Sequence, residues 1–120
     1  MRILILDGKE GGDILFRRIQ QIDEVAPTVI YEATLVSSFL KKSDLIILGS
    51  CPELLATEPN LLAITQALCQ QGFTDKILVV GESVKPPAWM KDTELDPERQ
   101  YCLRHEAGKR IKAIPKKQGS

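Results

Sequence analysis

Apolar residues occur in short continuous runs along this chain, and longer segments of mixed polarity separate the runs. Continuous apolar runs are typical of strands that are covered on both faces of a parallel sheet. They predict strands at residues 2–7, 28–33, 44–48 and 76–80. A fifth, edge-like strand is predicted at residues 110–114, where polar and apolar residues alternate.

Helices are predicted between the strands from the spacing of apolar residues and from side chains that favour helix ends. Asp13 and Thr34 are predicted to cap the first two helices. Pro59 suits the first position of a third helix that Gly72 ends, and residues 96–108 are predicted to form a fourth. The residues predicted to face the core from the first three helices are Leu15, Ile19, Ile22, Val36, Phe39, Leu40, Leu61, Ile64, Thr65 and Leu68.

The alternation of strands and helices predicts one α/β domain over residues 1–120. Parallel strands need right-handed crossovers, so the expected architecture is a three-layer sandwich around a five-stranded parallel sheet. The expected strand order is 2-1-3-4-5, the flavodoxin-like arrangement. Residues 83–95, which include Pro86 and Pro87, are predicted to form a long loop, and residues 115–120 a flexible basic tail.

Composition and charge narrow the class of protein. The chain has 120 residues, of which 43% are hydrophobic, and its 16 basic residues balance 16 acidic ones. No global charge favours nucleic acid or an anionic membrane, and no apolar run is long enough to cross a bilayer. Cys51, Cys69 and Cys102 form no CxxC pair, which favours reduced thiols in the cytoplasm over a disulfide framework or a zinc site.

Three segments resemble a receiver domain of bacterial response regulators, and the resemblance extends over nearly the whole chain. They are residues 2–7 (RILILD), 43–49 (SDLIILG) and 105–117 (HEAGKRIKAIPKK). In that family the first strand ends in paired acids that bind magnesium, and the third ends in a phosphorylatable aspartate. A lysine that precedes a proline lies at the family's fifth strand. The resemblance implies a receiver-like fold and a signalling or regulatory function.

This chain departs from the family at the residues that would carry the chemistry. Asp7 matches one acid of the pair, but Gly8 replaces the other. Gly49 replaces the phosphoacceptor, Gly81 occupies the position of a serine or threonine, and Lys116 matches the lysine. Phosphoryl transfer would then lack both its nucleophile and its metal clamp. The resemblance therefore implies a degenerate receiver with a truncated fifth helix, no catalytic residue, no metal and no cofactor.

Further carboxylates are predicted at the same edge of the sheet as Asp7. They belong to Glu10, Asp13, Glu53 and Glu82. A divalent ion needs several oxygen ligands held together, and these acids could rebuild such a site. We interpret them instead as solvated loop acids, which are far more common in proteins.

Glycine follows three predicted core strands, at Gly8, Gly49 and Gly81. Glycine there permits either close approach of a ligand to the backbone or a tight turn, and both interpretations stay open. The glycine-rich residues 8–12 could cradle a phosphate at the start of a helix. They match neither the Walker pattern nor the dinucleotide fingerprint, and their acidic neighbours would repel an anion.

Catalysis by a cysteine is not predicted. Cys51 follows the third strand, but the single imidazole, His105, lies on the predicted fourth helix, which disfavours a Cys–His pair. The first and third strands also resemble the start of class I glutamine amidotransferase domains. In that family a nucleophilic cysteine follows the strand that matches residues 77–80, whereas residues 81–83 here contain none. The chain is also too short for that activity.

The predicted function is binding to a protein partner or to a second copy of the chain. A truncated fifth helix would leave apolar sheet surface uncovered near Ile111 and Ile114, and Tyr101 would add to it. Trp89 is either an anchor for a partner or a pin that holds the long loop to the domain. Two other functions stay open: binding of a small anionic ligand or nucleotide at the carboxyl edge of the sheet, and weak hydrolysis by the loop acids.

Overall fold

The computed structural model describes residues 2–7, 9–22, 25–30, 43–49 and 61–113. These residues form a five-stranded sheet in the order β2-β1-β3-β4-β5, and every pair of neighbouring strands is parallel. The strands are β1 (Arg2–Leu6), β2 (Ala26–Ile30), β3 (Leu45–Leu48), β4 (Ile77–Gly81) and β5 (Tyr101–Leu103). The helices are α1 (Lys9–Ile19), α2 (Leu61–Gln70), α3 (Pro97–Gln100) and α4 (Ala107–Ala113). The predicted α/β fold and strand order are confirmed.

Several predicted features lie outside the described residues. They are Gly8, the end of the second strand at 31–33, the short helix at 34–42, Cys51, Glu53, Pro59, Ile114, Lys116 and the tail at 115–120. The side chains of Glu10, Leu61 and Ile64 also lie outside the description.

Two apolar layers sandwich the sheet, because side chains of each strand alternate between its faces. One layer contains Leu68 of α2 together with Leu4, Ile46 and Val79 of the central strands. The layer on the opposite face contains residues of α1 and α4, and Ile47 lies in it with no exposed surface. The central strands are therefore buried on both faces, as their continuous apolar runs predict.

Helix α1 begins at Lys9, earlier than the cap predicted at Asp13. Asp13 consequently lies within the helix, and Gly11 and Gly12 lie in its first turns. Glycine disfavours a helix interior, which is why the sequence suggested a later start. The prediction of a cap at Asp13 is wrong.

Helix α2 has Gln70 as its last residue, and Gly72 terminates it as predicted. The backbone there has φ of +90°, which glycine adopts without the steric cost that a side chain would bring. The amide of Gly72 bonds the carbonyl of Cys69 at 3.0 Å, and the amide of Phe73 bonds that of Leu68 at 3.1 Å. These two bonds form a Schellman motif, in which the last helical carbonyls find partners.

The fifth strand lies earlier in the chain than predicted. Asp96 caps α3 as expected by accepting a hydrogen bond from the amide of Glu98 at 3.0 Å, but α3 has only four residues. Tyr101 then pairs with Val79 and begins β5. The side-chain Nε2 atom of Gln100 donates to the carbonyls of Thr74 and Ile77, at 2.7 and 3.0 Å, and so fixes the chain beside β4.

Residues 107–113, which include most of the predicted fifth strand, form helix α4. Ala107 and Ile111 are four residues apart and both face the core, which is the spacing of a helix face. Arg110 donates to the carbonyls of Arg99 and Tyr101, both at 2.8 Å, and holds α4 against the preceding segment. The prediction of a strand at residues 110–114 is therefore wrong, as is that of a helix that continues to Gly108.

The longest described helix, α1, has 11 residues. Within the described ranges, no helix has the length and apolar character that crossing a membrane requires.

Replacement of Ile47 by alanine is expected to lower the free energy of unfolding by about 2–5 kcal/mol, because it removes buried methylene groups and leaves a cavity at the sheet centre. Chemical denaturation measures this change. The matched control is Val84→Ala, since Val84 is 82% exposed and its replacement should alter stability by less than about 0.5 kcal/mol. Equal stability of the Ile47→Ala variant and the control would contradict the placement of β3.

Candidate functional site at the carboxyl edge of the sheet

The carboxyl ends of the parallel strands meet at one edge of the sheet, where open α/β sheets place their functional residues. Asp7 follows β1, Gly49 follows β3, Glu82 follows β4 and Arg104 follows β5. The chain therefore brings two acids, one cation and a glycine together from four separate segments. Only Arg104 was not among the residues singled out from the sequence.

Asp7 and Arg104 form a buried ion pair. The Nη1 atom of Arg104 donates to the Oδ2 atom of Asp7, and the two residues are 97 positions apart in the sequence. The side chain of Asp7 is 1% exposed and that of Arg104 is 10% exposed. Because β3 and β4 lie between β1 and β5, this contact spans the ends of two intervening strands.

Glu82 is the second partner of Arg104. Its Oε1 atom accepts a hydrogen bond from Nε of Arg104 at 2.5 Å, and its side chain is 76% exposed. Burial lowers the pKa of Arg104, but the hydrogen bond that Arg104 donates to Glu82 and the charge of Asp7 outweigh this effect and raise the pKa above its usual value. The guanidinium is thus a permanent cation with one buried and one exposed carboxylate.

Gly49 lies directly against the carboxylate of Asp7. A Cβ atom built at Gly49 would overlap the Asp7 carboxylate at a separation that real Cβ atoms do not reach. A Cβ atom at Gly11 would lie 2.7 Å from Nη1 of Arg104 and 2.8 Å from Oδ2 of Asp7. Glycine is therefore required at both positions because the backbone lies close to the ion pair, and not because the chain makes a tight turn there.

Gly81 has a different neighbour. A Cβ atom at Gly81 would collide with the hydroxyl oxygen of Tyr101. That hydroxyl donates to the carbonyl of Ser83, and burial, followed by the charges of Cys102 and Glu82, raises the pKa of Tyr101. This contact fixes the chain just after β4, next to Glu82, whose side chain reaches Arg104.

The residues predicted to bind a partner do not form an uncovered apolar surface. Tyr101 is 6% exposed and Ile111 is 3% exposed, and they lie in the cores on opposite faces of the sheet. The prediction of bare sheet near Ile111 is wrong, because α4 occupies that position. Trp89 is half-buried against the layer that contains Met90, which favours its interpretation as a pin for the 83–95 loop.

The chemistry open to this site is limited by its charges. Asp7 is already compensated by Arg104, and a cation would have to displace the guanidinium to reach it. Within the described residues, no group of three His, Cys, Asp or Glu side chains is placed to hold a metal ion. Gly49 offers no side chain that could accept a phosphoryl group.

The residue that follows β5 is Arg104, and Lys116 was expected there only because the strand was predicted too late in the chain. The short apolar run at residues 101–103 is the signal that could have identified the strand and, with it, Arg104.

Comparisons with models of protein families, with curated proteins and with solved structures found no match to this chain. The resemblance to receiver domains therefore remains a hypothesis that depends on the residues at this edge.

Replacement of Gly49 by alanine is expected to destabilise the protein by about 1–3 kcal/mol, because the added methyl group overpacks the site beside Asp7. The matched control is Gly108→Ala within α4, where the new Cβ would meet no atom within 4 Å beyond its chain neighbours and the helix's own backbone. Alanine favours a helix over glycine by about 0.5–1 kcal/mol, so the control should gain stability. Thermal and chemical denaturation compare the two, and a gain in both variants would contradict the close approach at Gly49.

Proposed function

We propose that this chain is a regulatory module with a degenerate receiver-like site, which acts by binding another protein and is not phosphorylated. The ion pair of Asp7 with Arg104 beside Gly49 is the observation that carries the proposal. In a phosphorylatable receiver this edge would need a free carboxylate as acceptor and acids that hold magnesium. Here the buried acid is occupied by an arginine, and glycine stands in the acceptor position.

The charge of such an edge is constant. Phosphorylation makes a site more negative at neutral pH, and this change drives charge-dependent switches. Arg104 supplies a cation that is always present, and the carboxylates of Asp7 and Glu82, which belong to the same chain, pair with it. A partner would therefore recognise one persistent state of the domain.

The proposal includes a bacterial signalling context and a cytoplasmic location. The context comes from the resemblance to receiver domains. The location is supported by Cys102, which is buried, and Cys69, which is half-buried, because both are free thiols. Burial, as the main cause, raises the pKa of Cys102, which keeps it in the unreactive thiol form.

The second candidate function is binding of a small anion at Arg104. The exposed side chain of Glu82 favours it, because an exposed carboxylate can rotate into solvent and leave Nε of Arg104 to another anion. Phosphate, nucleotides and flavins are the ligands to test. A ligand that binds the folded state raises the melting temperature, and the increase should be larger for Glu82→Gln than for the unaltered protein.

Incubation with acetyl phosphate and magnesium is expected to leave the mass of the protein unchanged, since Gly49 cannot accept a phosphoryl group. Intact-mass spectrometry measures the outcome, and a receiver domain with a strand-ending aspartate serves as the positive control. A stoichiometric adduct that hydroxylamine removes would refute the proposed function.

Thermal melting of the protein with phosphate, nucleotides or flavins tests the second candidate function.

A further inference from the structure

On helices α1 and α4, every fully exposed charged side chain that the structure describes is a cation. They belong to Arg17 and Arg18 of α1 and to Lys109 and Lys112 of α4. We refer to these four residues as the basic face.

The four cations lie on one surface because α1 and α4 are neighbours on the same side of the sheet. Leu15 of α1 and Ile111 of α4 belong to the same apolar cluster. Nη1 of Arg18 also donates to the carbonyl of His105 at 3.4 Å, immediately before α4. Packed helices have axes about 8–10 Å apart, which places the exposed rows of both helices within reach of a single ligand.

The exposed charges on the opposite side of the sheet are of both signs. Met90 and Leu95 pack in the apolar layer of that side, and the chain around them runs over the surface. Asp92, Glu94 and Glu98 are exposed there, and so are Lys91 and Arg99. The basic face differs from this mixed surface because its fully exposed charges, among the described residues, are all cations, which the balanced composition does not indicate.

We propose that the basic face binds an acidic segment of another protein, with one apolar side chain of that segment packed on Ile14. Ile14 is an apolar residue of α1 with 40% of its surface exposed, and it lies three and four positions before the two arginines. Residues at this spacing are neighbours on a helix surface. This proposal rests on the proposed protein-binding function and assigns it a surface and a class of partner.

A protein partner fits this surface better than a nucleic acid. Proteins that hold single-stranded nucleic acid combine cations with exposed aromatic rings on which bases stack. In the described residues of α1 and α4, the aromatic side chain is Phe16, which is half-buried against the core. Asp13 and Glu106, which are partly exposed, lie on or beside the same helices and would repel phosphates and carboxylates alike, so the choice between the two partners depends on the aromatic residues.

The test is a titration of the ¹⁵N-labelled full chain with a synthetic peptide of repeating Glu-Glu-Leu units, followed by NMR. Two variants with equal changes of net charge are compared: Arg17→Glu with Lys109→Glu, and Lys85→Glu with Lys91→Glu. Lys85 and Lys91 are exposed but lie outside the basic face. An oligothymidine of the same charge as the peptide is titrated in parallel, and circular dichroism checks that each variant is folded.

The expected result is that amide shifts cluster in α1 and α4 and that binding weakens as salt rises. Reversal at Arg17 and Lys109 should weaken peptide binding about tenfold or more, and the control reversal by less than about threefold. Equal losses in both variants, shifts elsewhere, no peptide binding, or tighter binding of oligothymidine would each overturn the proposal. The mass measurement with acetyl phosphate is independent of these results, so failure here would leave the proposed non-phosphorylated state intact.

Discussion

The residues at the carboxyl edge of this sheet are arranged around the buried ion pair between Asp7 and Arg104. It joins the end of the first strand to the residue after the last strand. Removal of one partner would leave the other charged and buried, which is among the costlier changes a protein can undergo. The neighbouring residues fit around the pair, since Gly49 and Gly11 leave space for it and Glu82 balances the guanidinium from the solvent side.

The parts of the fold that could be predicted are those in which local pattern and burial agree. Apolar runs located β1, β3 and β4 because strands covered on both faces contain few polar residues. The residues after Pro97 were misassigned because a good helix start precedes a strand of only three residues. The apolar run at residues 101–103 could have placed Arg104 at the end of a strand, but its pairing with Asp7 depends on a contact across the sheet that no local spacing encodes.

The functional account follows from how the charges of the domain are arranged. At the carboxyl edge, the guanidinium of Arg104 is paired within the chain with the carboxylates of Asp7 and Glu82. On the surface of α1 and α4, the fully exposed charges in the described part of the chain are cations, whereas Asp13 of α1 is partly buried. A domain whose carboxyl-edge charges are already paired, and whose basic face carries exposed cations, is suited to binding another protein.

A double-mutant cycle with Asp7→Asn and Arg104→Met tests the central claim most directly. Arg104→Met should lower the free energy of unfolding by about 3–5 kcal/mol, because Asp7 then stays buried without the guanidinium, whereas Asp7→Asn should cost less because Glu82 still pairs with Arg104. The double replacement should cost less than the sum of the two, with a coupling energy of about 1–3 kcal/mol. Costs that are small and additive in the three variants would contradict the account, because they would show that the pair does not organise this edge.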